Sequence, residues 1–245
     1  MKVGDWLIFF GYLRERLIDR LSRSSASAAG RDEPARRRGS EQVQGVGDYD
    51  AWYYNRPIAR AYLNHPRRAT NLVEMIERFA PSRVFEFGSG LGHVLREARR
   101  RDIRIVGTET SDYAVSRSLC PDAIVKIGEI PQSSLPFPDG AFDLVFSTEV
   151  MEHVSEACTL SVLHELHRIC SRYALFTINT SNREEPGHIN LHPRQWWLTA
   201  FTAAGFVYND RMWKEMERMK FLDWEIFVLE KSVSLAGPHR APSIS

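Results

Sequence analysis

The chain has 245 residues, 43% of them hydrophobic, and its formal net charge is +1. This length is sufficient to bury a full core, and we expect one globular domain with appendages at its ends. The balanced charge gives no argument for a nucleic-acid partner, which a strong basic excess on the domain would indicate. The sequence holds no run of about 18 apolar residues, so we expect no membrane-spanning helix and a cytoplasmic protein.

The cysteines give no sign of a metal site. Cys120, Cys158 and Cys170 are scattered along the chain without metal-type spacing. An odd number of unclustered cysteines is typical of a reducing compartment. We therefore interpret all three as packing residues.

The N-terminal segment differs in composition from the rest of the chain. Residues 1–24 begin with an apolar run and continue with arginines at helical spacing, which predicts a basic amphipathic helix. Such a helix either lies at a membrane interface or packs against the domain or a partner protein, and both readings stay open. Residues 25–47 are rich in Ser, Ala, Arg and Gly and predict a flexible linker, and residues 232–245 predict a disordered tail.

Two helices are predicted before the first strand. Apolar residues recur at helical spacing over residues 49–63 and again over residues 68–79. The first of these segments carries the aromatic cluster Trp52, Tyr53 and Tyr54. These side chains either line a substrate site or pack in the core.

A glycine-rich turn follows the first strand. The apolar residues 83–87 run into Gly88, Gly90 and Gly92, and a helical pattern comes next. Glycine has no Cβ, so the backbone can bend tightly and approach a ligand while the N–H groups of the following helix face it. A dinucleotide fingerprint has a third glycine at its sixth position, where this chain has His93. The turn therefore predicts a nucleotide cofactor of another kind.

A second short apolar strand ends in a carboxylate. Residues 103–109 end in Glu109, which lies at about the 20-residue spacing of a ribose-binding acid. A carboxylate at this point can accept hydrogen bonds from both ribose hydroxyls. A third strand is predicted at residues 123–126.

The fourth strand leads into a cluster of acids and histidines. Glu149, Glu152 and His153 fall within one turn of a loop that enters a helix, and positions i and i+3 share one face of such a turn. Two carboxylates and an imidazole make a half-site for a divalent metal. A further ligand, His188, follows the fifth strand at residues 173–179. Both loops leave the carboxyl ends of neighbouring strands, where open parallel sheets bind ligands.

The last elements complete the sheet. A helix is predicted over residues 193–204, with Pro193 at its start and Gly205 after its end. Residues 206–208 and 224–230 then predict two strands.

The sequence from Glu86 to Gly92, Glu-x-Gly-x-Gly-x-Gly, resembles the first motif of the class I S-adenosylmethionine (SAM) methyltransferases. This resemblance implies SAM as the cofactor, with Glu86 at its amino-acid end. It implies an α/β domain over residues 48–231: a doubly wound, seven-stranded, mostly parallel Rossmann-like sheet with an antiparallel hairpin at one edge and lid helices within residues 49–80. The implied cofactor-binding residues are Glu86, Gly88, Ser89, Gly90, Gly92, Glu109, Glu129, Ile130, Thr148 and Glu149.

The order Glu-x-x-Glu-His, a Thr-Ile-Asn strand end and a Gly-His loop is similar to the ubiquinone-biosynthesis O-methyltransferases and to the small-RNA 2′-O-methyltransferases. In those families two acids and two histidines hold a divalent ion that binds neighbouring hydroxyls of the acceptor. Carried over, this implies Mg²⁺ or Mn²⁺ on four residues: Glu149, Glu152, His153 and His188. The same segment is widespread in methyltransferases with no established metal. In that case His188, His153 or His192 would act as the base.

The sequence therefore predicts a SAM-dependent methyltransferase. Its acceptor is expected to be a hydroxyl with a neighbouring hydroxyl, on a small molecule, a sugar or a glycan. One alternative is metal-independent transfer to oxygen, nitrogen or carbon. Another is a binding subunit without turnover that docks a partner or a membrane through residues 1–24.

Overall fold

The computed structural model describes residues 49–57, 60, 63–128, 134–181, 185, 187–220, 222 and 225–232. Several predicted features lie outside these residues, namely the helix 1–24, the linker 25–47, nearly all of the tail 232–245, and the cofactor contacts Glu129 and Ile130. Within the described ranges, no helix combines the length and the apolar character that a membrane span requires.

One seven-stranded sheet runs through the described part of the chain. Its strands are β1 (Val84–Phe87), β2 (Ile105–Glu109), β3 (Ile124–Lys126), β4 (Phe142–Thr148), β5 (Cys170–Ile178), β6 (Phe206–Tyr208) and β7 (Glu225–Lys231). Their order is β3-β2-β1-β4-β5-β7-β6, in which only β7 runs antiparallel to its neighbours. The predicted mostly parallel Rossmann-like sheet with its antiparallel edge hairpin is confirmed. The strand order reverses between β1 and β4, and ligands bind at such a point in open α/β sheets.

Helices cover both faces of this sheet. They are α1 (Ala51–Asn55), α2 (Pro66–Glu77), α3 (His93–Arg100), α4 (Asp112–Ser116), α5 (Glu156–Ile169), α6 (Arg194–Ala203) and α7 (Asp210–Met219). Short 3₁₀ turns lie at Pro121–Ala123 and Met151–His153. The two-sided cover explains why the central strands are apolar on both faces.

The core is divided by the sheet into two apolar clusters. In β1, Phe85 faces the cluster formed with α5 and α6, whereas Val84 faces the cluster formed with α2, α3 and α7. Trp197 of α6 is fully buried in the first cluster. Met216 of α7 is fully buried in the second cluster, so the methionine-rich segment after β6 serves local packing.

Two predicted helices are longer than the observed ones. The helix expected over residues 49–63 is interrupted after Asn55, because Arg56 precedes Pro57 and takes an extended conformation with ψ of 138°. The sequence also predicts a helix over residues 156–172, and the observed helix ends at Ile169. Cys170 instead begins β5 and pairs with β4, so tertiary pairing overrides local propensity there.

The glycine turn after β1 rests against a glycine in β2. A Cβ built on Gly107 would lie 2.8 Å from Ser89 Cβ, 3.0 Å from Ser89 Oγ and 3.2 Å from Leu95 Cδ1. Ser89 Oγ and its backbone N–H both donate to the carbonyl of Thr108. The bare backbone at Gly107 thus allows the turn to pack directly on β2.

We expect Gly107→Ala to lower the free energy of unfolding by about 1–3 kcal/mol, because the added methyl overpacks the turn. Combining it with Ser89→Gly should recover most of that loss, since the two closest atoms are then absent. Urea denaturation of the single and double variants measures both effects. If the effects of the two substitutions on the free energy of unfolding were strictly additive, the contact between Gly107 and Ser89 would be contradicted.

Candidate active site

The glycine turn has the backbone conformation that its sequence predicts. Gly88, Gly90 and Gly92 all have positive φ, at 74°, 52° and 77°. A Cβ on Gly88 would lie 2.6 Å from a methyl carbon of Val150, so a side chain there would also clash. The turn opens at the carboxyl end of β1, beside the reversal of strand order.

Glu109 is held beside this turn by backbone N–H groups. Its Oε2 accepts from the N–H of Gly90 at 2.7 Å, and its Oε1 accepts from Thr110 at 2.7 Å and Ser111 at 2.9 Å. The carboxylate at the end of β2 is buried and oriented by these donors. A ligand that lies over the glycine turn would therefore meet it.

Glu86 is a second buried acid, located within β1. It is 2% exposed, and its Oε2 has no hydrogen-bond partner among the described residues. Burial raises the pKa of Glu86 to about 8, and the nearby charge of Arg68 opposes that shift. The site thus holds a carboxyl that lacks a partner for its second oxygen.

Arg68 is a buried cation that our sequence analysis missed. It lies in the first turn of α2, is 6% exposed, and donates from Nη2 to Thr148 Oγ1 at 3.1 Å. Its charge acts on both Glu86 and Glu149. The signal was present in the sequence, because Arg68 precedes Leu72 by four residues and so falls on the apolar face of its helix.

Aromatic side chains of α1 lie over the turn. Tyr54 is buried, stacks on Tyr113 with ring centroids 5.7 Å apart, and lies 3.8 Å from the position of a Cβ on Gly90. Burial raises the pKa of Tyr54, so its hydroxyl stays protonated. Tyr53 packs edge-on against His153, whereas Trp52 is 59% exposed and points away. Of the three aromatic residues, Tyr53 and Tyr54 thus face the protein interior and Trp52 faces solvent.

Glu149 and Glu152 form a buried acid pair at the end of β4. Glu149 has φ of 54°, uncommon for a residue with a side chain, and its Oε1 accepts from Thr177 Oγ1 at 2.9 Å. Glu152 is fully buried, and its Oε1 accepts from the Asn179 N–H at 3.1 Å. Burial raises the pKa of both acids, and Glu149 raises that of Glu152 further. Burial thus favours the protonated form of both carboxyls in the ligand-free protein.

Two neutral histidines stand beside this pair. The rings of His153 and His188 meet edge-on with centroids 4.7 Å apart. His153 Nδ1 lies 2.8 Å from the Gly187 carbonyl oxygen, and His188 Nδ1 lies 3.4 Å from Asn179 Nδ2. Burial lowers the pKa of His153 to about 3 and also lowers that of His188. Both imidazoles are therefore uncharged near neutral pH.

Three of the four predicted metal ligands come together. Ligand atoms of Glu152, His153 and His188 lie within 4.8 Å of one another, whereas Glu149 is turned to Thr177. A backbone clamp supports this set, because the Glu152 carbonyl accepts from the N–H groups of two successive residues of the His188 loop, Ile189 and Asn190. Asn190 is buried and also donates to Thr159 Oγ1 at 2.8 Å.

His192 lies in a different environment. Its ring stacks on Trp196 with centroids 3.8 Å apart, and its Nε2 lies 3.1 Å from an oxygen of Glu156. These partners belong to α6 and to the first turn of α5. The described contacts of His192 therefore lie at the starts of two helices and not in the cluster of Glu152, His153 and His188.

Comparison with known proteins agrees with this geometry. Residues 85–178 match the family described as a methyltransferase domain. No curated protein matches the chain. Similar solved structures include a chain of the complex between the Haloferax volcanii Trm112 methyltransferase activator and a methyltransferase (TM-score 0.56, 18% identity, 76% of this chain and 98% of that one).

Two further similar structures have differing activities. The cyclase SpnF has a TM-score of 0.53 and 19% identity, with 68% of this chain and 82% of that chain covered. Phosphoethanolamine N-methyltransferase 2 from Haemonchus contortus, in complex with S-adenosylhomocysteine, has a TM-score of 0.51 and 14% identity, with 67% and 52% covered. Such identities establish the fold alone. The chain therefore has the Rossmann-like fold of the class I SAM-dependent methyltransferases, and its residues 85–178 match a methyltransferase domain.

Proposed function

We propose that the protein is a SAM-dependent methyltransferase that methylates a hydroxyl oxygen with a neighbouring hydroxyl, on a small molecule, a sugar or a glycan. The observation that carries the proposal is the convergence of Glu152, His153 and His188. This cluster stands at the same edge of the sheet as the glycine turn, since β1 and β4 are adjacent and parallel. A donor and an acceptor could therefore meet there.

The cofactor half of the proposal rests on paired charges. SAM carries an amino group and a carboxylate at one end, and Glu86 and Arg68 offer one charge of each sign. Glu109 would accept from the ribose hydroxyls, and the bare backbone of Gly88 and Gly90 would allow close approach. Ser89 and Thr148 would line the same cofactor site. Glu129 and Ile130 remain predicted contacts of the adenine.

The chemical demand on the protein is modest. The sulfonium of SAM is already a reactive methyl donor, so the protein must align the acceptor oxygen with the methyl carbon and remove the hydroxyl proton. Alcohols hold their proton at neutral pH, so a partner for that proton or for the developing charge is needed. The buried acid and histidine cluster can supply it.

A divalent ion fits part of this cluster. Glu152 Oε2 is buried and has no hydrogen-bond partner among the described residues, and two neutral imidazoles stand near it. Glu152, His153 and His188 would hold Mg²⁺ or Mn²⁺. When bound, the ion would lower the pKa of an acceptor hydroxyl.

Metal-free transfer is a second candidate, and the contact between His153 and Gly187 is compatible with it. A carbonyl oxygen can only accept a hydrogen bond, so the short contact with Gly187 requires the proton of His153 on Nδ1. Its Nε2 lone pair is then free to take a proton from the acceptor. The same atom is the one that would bind a metal, so His153 is central to both mechanisms.

The cofactor assignment predicts a pH-dependent affinity. Glu86 is protonated below about pH 8 in the ligand-free protein, yet it must ionise to pair with the cofactor's amino group. Binding of S-adenosylhomocysteine should therefore release a proton, and its affinity should rise with pH by up to about 10-fold per unit until pH 8. Calorimetry in two buffers of different ionisation enthalpy measures the affinity and the proton count.

Glu86→Gln should weaken binding and remove this pH dependence. The stability of the ligand-free protein gives an independent sign. Burial raises the pKa of Glu86, so its contribution to the free energy of unfolding is fully present below pH 4.5. That contribution is lost as the pH rises through about 8. The variant should therefore be less sensitive to pH over that interval. Glu74→Gln, on the exposed side of α2, is the matched control, and equal pH behaviour in both variants would contradict the assignment.

Metal binding is tested by titrating Mn²⁺ and Mg²⁺ into metal-stripped protein that holds S-adenosylhomocysteine. We expect heat of binding in the wild type and its loss in Glu152→Gln and His153→Gln, since both remove a ligand. His192→Gln should bind normally. If Glu149→Gln also lost metal binding, Glu149 would be a metal ligand together with the other three residues. No binding in the wild type would discard the ion and leave His153 as the base.

A further inference from the structure

The two histidines of the cluster are held in different tautomers. His153 Nδ1 contacts the Gly187 carbonyl at 2.8 Å, which fixes its proton on Nδ1 and leaves a lone pair on Nε2. A Cβ built on Gly187 would lie 3.0 Å from His153 Nδ1 and 3.2 Å from the Tyr49 hydroxyl, so the bare glycine backbone allows this close contact. His153 therefore presents a proton acceptor at Nε2.

Asn179 imposes the opposite tautomer on His188. The Asn179 Oδ1 accepts two hydrogen bonds from Ser181, at 2.9 Å from the backbone N–H and 2.6 Å from Oγ. Turning the amide over would place its NH₂ group against the Ser181 N–H, so the Oδ1 assignment is fixed. The amide Nδ2 then faces His188 Nδ1 at 3.4 Å and can only donate. His188 thus carries its proton on Nε2.

The same asparagine also anchors the acid pair. Its backbone N–H donates to Glu152 Oε1 at 3.1 Å. Asn179 follows the last residue of β5, Ile178, so one strand end holds a carboxyl through the main chain and an imidazole through the side chain.

We propose that Asn179 is a positioning residue that sets the cluster as one proton acceptor, His153 Nε2, and one hydrogen-bond donor, His188 Nε2–H. This inference rests on the metal-free form of the proposed function, because His188 with a proton on Nε2 and its Nδ1 facing Asn179 has no lone pair left for an ion. A vicinal diol offers one hydroxyl that donates and a neighbouring oxygen that accepts, which complements the two imidazoles. A single hydroxyl would leave one of them unpaired.

The transfer step is balanced without further reactants. The acceptor hydroxyl gives its proton to His153 Nε2, and an oxygen lone pair forms the new bond to the methyl carbon. The bond from sulfur to that carbon breaks, and its electron pair stays on sulfur to give S-adenosylhomocysteine. His188 donates to the neighbouring oxygen and fixes which hydroxyl faces the methyl group.

Nitrogen NMR of the histidine side chains tests this arrangement. The full-length, metal-stripped chain is labelled with ¹⁵N-histidine, saturated with S-adenosylhomocysteine and observed at pH 7 in two-bond ¹H–¹⁵N spectra. His153→Gln and His188→Gln assign two of the eight histidines. We expect His153 protonated on Nδ1 and His188 protonated on Nε2. A wild-type His188 protonated on Nδ1 would overturn the proposal.

The variant Asn179→Ala tests the role of Asn179. In this variant His188 should lose its single tautomer and show averaged nitrogen shifts, whereas the His153 shifts should be unchanged. Should that variant not fold, Ser181→Ala, which removes one restraint on the amide, should give a smaller shift in the same direction. Asn64→Ala, at an exposed asparagine, is the control. An unchanged His188 in both site variants would show that Asn179 does not set the tautomer.

These spectra need no turnover, so they separate this inference from the function on which it rests. Catechol added to the same labelled sample serves as a diol probe. Opposite tautomers with a catechol-induced shift at both rings support the acceptor class. Opposite tautomers with no shift leave Asn179 as the positioning residue but overturn the diol. Loss of S-adenosylhomocysteine binding would overturn the proposed function instead.

Discussion

The burial of carboxyl groups at one edge of a parallel sheet is the constraint on which the site depends. Glu86, Glu109, Glu149 and Glu152 lie in or directly after three neighbouring strands, and all but Glu149 are less than one tenth exposed. A buried carboxylate is costly unless N–H groups, a cation or a proton satisfies it. The acids are accommodated in different ways: backbone N–H groups donate to Glu109, Arg68 lies near Glu86, the Thr177 hydroxyl donates to Glu149, and the Asn179 N–H donates to Glu152.

These different solutions divide the edge into two regions. The region at β1 and β2 offers oriented acceptors and one cation, which suits a ligand that carries an amino acid and a ribose. The region at β4 and β5 offers an acid pair and two neutral imidazoles, which suits proton transfer or a metal. The second region is held by the Glu152 carbonyl, which accepts from the His188 loop, and by Asn179. The donor and the acceptor would thus be positioned by separate parts of one rigid sheet.

Local sequence patterns were sufficient for much of this picture, and specific residues show where they were not. The spacing of Gly88, Gly90 and Glu109 predicted the cofactor edge, because glycine conformation and strand length are local properties. Arg68 was missed, although its place on an apolar helix face is a readable signal. Asn179 had no such signal, because its role arises from partners in three separate segments. The ends of α1 and α5 were also misplaced, through Pro57 and through strand pairing.

The sequence by itself determined the short apolar strands, the glycine turn and the candidate acids and histidines through periodicity and motif spacing, and the seven-stranded α/β sheet through the family that it resembles. Only the tertiary structure decided which of those residues meet, which acids are buried and which hydrogen-bond partners each histidine has. The physical reason is that burial and hydrogen-bond partners set pKa and tautomer, and both depend on residues far apart in sequence. His192 shows the difference: its residue type fits a catalytic base, but its contacts are Trp196 and Glu156.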